Sequence, residues 1–198
     1  MSAFRRKESL APYRKNFFLV TEGERTESAY LKIVWNRLGL RERFTPRFLH
    51  EKPSISSMIA SALKAEKDNM FRASKGDEIW IILDHDEQCH LPSQFQELSA
   101  WENEKPYRHV ALSTPRFEYW LLMHLDKKPS KERCLSDDYM QQRIPHFKNL
   151  PINSMIFTRD SILAAMNCAN TAPIPTCKNP YIVGSSLGRL IERLMQNE

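Results

Sequence analysis

Apolar residues along the chain alternate between two patterns. Phe17-Phe18-Leu19-Val20 and Ile79-Trp80-Ile81-Ile82-Leu83 are short, continuous runs, the form a strand takes when both of its faces are covered. Extended stretches at residues 44–49 and 108–113 make two further strands. After the first strand, Tyr30, Ile33, Val34 and Leu38 recur at three- and four-residue spacing while Glu27, Lys32 and Arg37 fall largely elsewhere, which predicts a helix that Gly39 stops. A second helical pattern follows Pro53-Ser54 and runs through Ile55, Met58, Ile59, Ala62, Leu63 and Ala65-Glu66, with Ser74-Lys75-Gly76-Asp77 ending the element. A polar helix is expected over residues 92–103. Beyond Pro115 the stripe Phe117, Trp120, Leu121, His124 and Leu125 is helical, and further helices are expected near 136–144, 158–169 and 183–196.

Strands alternating with helices predict an α/β fold with a largely parallel sheet and right-handed crossovers, flanked by helices. A length of 198 residues suits one domain. We divide it into a basic arm (1–15), an α/β core (16–126) and a helical C-terminal extension packed on that core (127–198).

Charge changes this picture little. The 29 Lys and Arg against 24 Asp and Glu leave a net charge of +5, which permits a phosphate-bearing partner without requiring one. The arm carries Arg5, Arg6, Lys7, Arg14 and Lys15 without periodicity and reads as solvated. Cys89, Cys134, Cys168 and Cys177 form no CxxC pair, as expected of reduced thiols in a cytoplasmic protein. Cys89 with His85 and His90 lacks the second ligand pair that a structural zinc site needs. No apolar run approaches the roughly 18–20 residues that span a bilayer, and no export signal is expected. No Walker-type glycine-rich loop is present, so no intrinsic ATP hydrolysis is expected.

The chemistry concentrates where strands end. The first strand breaks into Thr21-Glu22-Gly23 and the third into Asp84-His85-Asp86-Glu87. If both strands are central and parallel, their carboxyl ends are neighbours, where open α/β sheets gather functional groups. Carboxylates converging there repel one another unless some are protonated or a divalent cation sits among them, and Mg²⁺ suits such oxygen donors. Asp-x-Asp after a strand can turn both carboxylates to one metal, although aspartates also serve as caps and turn formers.

Thr21-Glu22-Gly23-Glu24-Arg25-Thr26-Glu27 followed later by Leu83-Asp84-His85-Asp86-Glu87 resembles the toprim pattern of strand, Glu-Gly loop, helix and Asp-x-Asp. With Ser113-Thr114-Pro115-Arg116-Phe117-Glu118-Tyr119-Trp120-Leu121-Leu122-Met123-His124, and more weakly Asn179-Pro180-Tyr181-Ile182-Val183, the chain resembles the RloB family, toprim-like proteins of bacterial defence loci. Ile182 stands where that family typically has Thr. The resemblance covers about residues 17 to 195.

It implies a toprim-like sheet and a nucleic-acid endonuclease acting in anti-phage defence. Glu22 would be the general acid or base, and Asp84 and Asp86 the ligands of Mg²⁺, or of Mn²⁺ in its place. Glu22, Asp84 and Asp86 are thus the catalytic candidates and, with Glu27 and Glu118, the metal-ligand candidates. Glu27 could ligate a second ion, as in overcoming-lysogenization toprim nucleases, or simply favour the first turn of a helix. Glu118 lies in an apolar stripe and needs a cation, either the metal or an arginine such as Arg116 or Arg159. Phe117 and Trp120 read as core, His124 as a hydrogen-bonded core histidine and His85 as the more exposed histidine. Arg25, Arg116 and Lys178 are the candidate phosphate contacts.

Topoisomerase and primase chemistry require a nucleophilic tyrosine or nucleotide-binding machinery not expected in so short a chain. A receiver-like phospho-acceptor is disfavoured because its acidic pair follows the first strand. The competing expectation is a catalytically quiet metal-binding sensor or subunit, docked on an ATPase partner of a defence complex. The arm and C-terminal helices could bind DNA, RNA, such a partner or another copy of the chain.

Overall fold

The computed structural model describes residues 13–22, 25–50, 54–85 and 91–196. Four strands, β1 (Lys15–Thr21), β2 (Phe44–His50), β3 (Glu78–Asp84) and β4 (Arg108–Thr114), pair in parallel in the order β2-β1-β3-β4. A short β5 (Gly184–Ser185) closes the sheet antiparallel to β4. Around it lie α1 (Thr26–Arg37), α2 (Ile55–Glu66), α3 (Pro92–Glu104) and α4 (Phe117–Leu122), then α5 (Lys131–Leu135), α6 (Asp137–Arg143), α7 (Arg159–Thr171) and α8 (Gly188–Met195). The fold is α/β, with a mostly parallel five-stranded sheet flanked by helices and followed by C-terminal helices.

Strand alternation divides the core in two. Phe17, Leu19, Trp80 and Ile82 face one layer, where they meet Tyr30 and Trp35 of α1, Trp120 of α4 and the apolar sides of α7 and α8. Phe18, Val20, Ile79, Ile81 and Leu83 face the other, against Met58 of α2 and Phe95 and Trp101 of α3. Apolar residues on both faces are why these strands read as continuous runs. The C-terminal helices share the α1 layer, with Phe157, Ile162, Leu190 and Ile191 in the same cluster as Phe17 and Tyr30.

Side-chain anchors hold the strands in place. At the amino end, buried Asp77 accepts from the Asn16 backbone N–H (2.8 Å), the Asn16 amide (3.0 Å), the Arg72 N–H (2.9 Å) and the Tyr13 hydroxyl (2.7 Å). These bonds tie the start of β1 to the start of β3, setting the two strands side by side. At the other edge, Ser186 Oγ accepts from the Leu112 N–H (2.8 Å), and the Ser113 and Ser185 hydroxyls pair at 2.9 Å.

Helix α2 ends where its apolar pattern ends, whereas the last helix departs from the sequence pattern. Helix α2 stops at Glu66, because Lys67, Asp68 and Asn69 supply no apolar residue to prolong its buried stripe; the chain then passes through turns to Gly76 at φ +84°, a left-handed position that glycine adopts without strain. The last helix begins only at Gly188, since residues 184–185 are taken by the sheet. Gly39, at φ +68°, does end the turn after α1. Among the described residues, no helix is long and apolar enough to cross a membrane.

Candidate functional site

β1 and β3 are hydrogen-bonded neighbours in the middle of the sheet, with Thr21 paired to Ile82. Glu22 and Asp84 therefore leave the sheet at the same edge. The two are joined directly: the Asp84 backbone N–H donates to Glu22 Oε2 at 3.3 Å. Asp84 has the parity of Trp80 and Ile82, so strand alternation turns it toward the α1 and α4 layer. That layer contributes Glu27 from the first turn of α1 and Glu118 from the first turn of α4.

Burial and neighbouring charge act on three of these carboxylates. Burial pushes Asp84 well above the usual carboxylate range; the Glu27, Glu118 and Glu22 charges push the same way, and a hydrogen bond from the Phe117 backbone N–H partly offsets them. Glu27 is pushed up to about 7, first by burial and then by Glu118 and Glu22, against a hydrogen bond to its own backbone N–H. Glu118 is also raised by burial, moderated chiefly by Arg116.

Arg116 is the cation that Glu118 needs. It lies 3.4 Å from the Glu118 carboxylate and 3.1 Å from Asp137, and its Nε donates to the Cys134 carbonyl at 2.8 Å. Its second bond to Cys134, through Nη2, fixes the guanidinium further. These contacts tie it to the C-terminal extension, with 24 % of the side chain exposed for any phosphate. Arg25 is exposed just before α1, and Lys178 is exposed on the turn that follows α7. Asp86 lies outside the described residues, as do Cys89 and His90 of the zinc alternative. Among the described residues, no group of three or more His, Cys, Asp or Glu side chains is arranged to hold a metal ion.

Sequence comparison assigns the family. The profile of the RloB-like proteins matches residues 17–194, from β1 into α8. This chain is a member of the RloB-like protein family. No curated protein and no solved structure matches it. In this RloB-like chain the matched span thus encloses the carboxylate edge, the Arg116 anchor and the C-terminal helices together.

The histidines of the RloB-like site need one correction. His85, expected to be the more exposed, is 1 % exposed. It has the parity of Leu83 and Ile81 and so turns to the α2 and α3 layer, its N–H bonded to the Ser113 carbonyl at 2.8 Å and its ring against Phe95 and Tyr181. His124 is a core residue: Nδ1 donates to the Trp120 carbonyl (3.0 Å), which leaves Nε2 to accept from the Tyr30 hydroxyl (2.9 Å). Burial pushes its pKa down to about 4. Phe117 and Trp120 are buried, at 1 % and 0 % exposed.

Two contributors were not visible in the chain's pattern, the Phe117 N–H on Asp84 and the Cys134 carbonyl on Arg116. Both are backbone groups, to which side-chain identity gives no clue.

Proposed function

We propose that this RloB-like chain is a metal-dependent endonuclease of toprim type that hydrolyses phosphodiester bonds of DNA or RNA in bacterial anti-phage defence. The observation that carries the reading is the convergence of Glu22, Glu27, Asp84 and Glu118 on one sheet edge, where burial and the neighbouring carboxylates raise the proton affinity of Asp84 and Glu27 while Arg116 pairs with Glu118. The described carboxylates are not by themselves arranged as a ligand set, so the set would need Asp86 beside Glu22 and Asp84; oxygen donors of this kind suit a hard divalent cation, Mg²⁺ or Mn²⁺.

Glu22 and Asp84 would hold the ion together with Asp86, and Glu27 and Glu118 complete the acidic rim. Mg²⁺ keeps several waters and takes substrate phosphate among its ligands, so a few carboxylates suffice. When bound, the ion supplies Lewis-acid stabilisation of charge developing on the phosphoryl oxygens. The chain's own groups do the rest. Glu22, oriented by the Asp84 N–H, carries a proton to or from the reacting oxygens. The Phe117 N–H keeps Asp84 aimed at the edge, and Arg116 prevents Glu118 from adding a further uncompensated charge.

Incubation of the purified protein with plasmid DNA and with total tRNA, each with Mg²⁺, Mn²⁺ or EDTA, tests this against Glu22→Ala and Asp84→Ala. Cleavage that needs metal and is lost in both variants is expected. Metal binding without cleavage would instead favour the partner-activated subunit of an ATPase-containing complex, and absence of metal binding would remove the site altogether.

A further inference from the structure

On the opposite face of the same sheet edge, a groove of about 420 Å³ runs between α3 and the turn at residues 176–181. That volume is within the roughly 300–1,000 Å³ of small-ligand sites. Helix periodicity divides α3 in two: Phe95, Leu98 and Trp101 enter the core, while Gln96, Ser99 and Asn103 line the groove. Asn103 donates its amide to the Ser99 carbonyl (2.7 Å), leaving its side-chain oxygen to accept. Lys178 and Tyr181 form the other wall, and among the described lining residues none is acidic.

Tyr181 is 54 % exposed, and the turn that leads into it is pinned. The Thr114 hydroxyl donates to the Pro180 carbonyl at 2.7 Å, and Thr176 and Asn179 exchange backbone hydrogen bonds of 3.2 and 3.0 Å. Its ring packs edge-on to His85 at 5.1 Å, and His85 follows Asp84 directly in the chain. An open aromatic face, amide and hydroxyl groups beside it and one ammonium at the rim match a nucleobase with its phosphate: the ring stacks, the polar groups meet the base edge and the cation meets the phosphate.

We propose that this groove binds a nucleobase stacked on Tyr181, with Gln96, Ser99 and Asn103 along the base edge and the adjoining phosphate at Lys178. The proposal rests on the nucleic-acid reading of the carboxylate edge and names a base subsite for it. A strand crossing the edge would place a phosphate at Glu22 and Asp84 and a flanking base in the groove.

A short oligouridine carrying 4-thiouridine, irradiated with the full chain in EDTA, tests the groove without requiring cleavage. The cross-link is expected on the peptide bearing Tyr181 or on α3, with the dissociation constant raised about tenfold in Tyr181→Ala and largely restored in Tyr181→Phe. Circular dichroism checks that the variants are folded. Competition by UMP at concentrations similar to the oligonucleotide would assign the same chemistry to a free nucleotide; competition only by longer strands would assign it to a base within a strand. Cross-links elsewhere, with binding unchanged in Tyr181→Ala, would overturn the proposal even if Mg²⁺-dependent cleavage is found. A Tyr181-dependent cross-link without any cleavage would uphold the groove and reject a nuclease active on its own.

Discussion

Replacing Glu27 by Gln should stabilise the metal-free protein near neutral pH while weakening its response to metal. The Glu27 pKa rises from its ordinary 4.5 to about 7 on folding. The folded state therefore holds a proton that the unfolded state has released between these values. The stability is fully present below pH 4.5 and is lost as pH rises through 7. A shift of that size corresponds to at most about 3 kcal/mol; partial solvent access and the favourable acidic position in the first turn of α1 reduce the expected gain to about 1–2 kcal/mol. Glutamine keeps the shape and removes the charge, so chemical unfolding in EDTA should show Glu27→Gln more stable than wild type at about pH 8 and nearly equal to it at about pH 4.5. Addition of Mg²⁺ should then raise the wild-type midpoint more than that of the variant. A variant that is destabilised at pH 8, or a difference independent of pH, would refute the burial of Glu27 without a balancing cation, on which the site reading depends.

His124 gives the opposite pH dependence. Its folded pKa of about 4 lies below its ordinary 6.5, so stability falls as pH drops through this window, by up to about 3 kcal/mol, and an NMR titration should find the ring neutral at pH 6. Arg116→Ala should cost about 2 kcal/mol or more, because it strands the Glu118 carboxylate and the Cys134 carbonyl. Adding Glu118→Gln should recover part of that loss, and a double-mutant cycle by denaturant unfolding measures it. Asp77→Ala removes the acceptor shared by Asn16, Arg72 and Tyr13 at the amino ends of β1 and β3; a loss of about 2–4 kcal/mol, with faster amide exchange in β1, is expected.

The strands β1, β3 and β4 and the helices α1, α3 and α7 were legible because their signal is local. A run such as Ile79-Trp80-Ile81-Ile82-Leu83 or a stripe such as Tyr30, Ile33 and Val34 carries its own periodicity, and the acidic breaks after it mark the strand ends. The two-residue β5 is too short to carry a period and exists only because β4 offers an edge to pair with.

The side chains of the carboxylate edge divide in the same way. That Glu22 and Asp84 end strands follows from the chain alone, whereas their proximity follows from β1 lying next to β3. Whether Glu118 belonged to an ion pair or to the site could not be resolved from its apolar neighbours; the three-dimensional packing pairs it with Arg116 at 3.4 Å and brings its charge to bear on Asp84. His85 was misplaced because the chain shows a polar residue between two aspartates, while strand alternation and the layer formed by Phe95 and Tyr181 make that position an interior one. Hydrophobic periodicity is a property of neighbours in sequence and so specified the elements and their ends. The strand order, the layer each side chain enters and the backbone groups that meet it are set by contacts between distant segments, and these appeared only once the sheet was assembled.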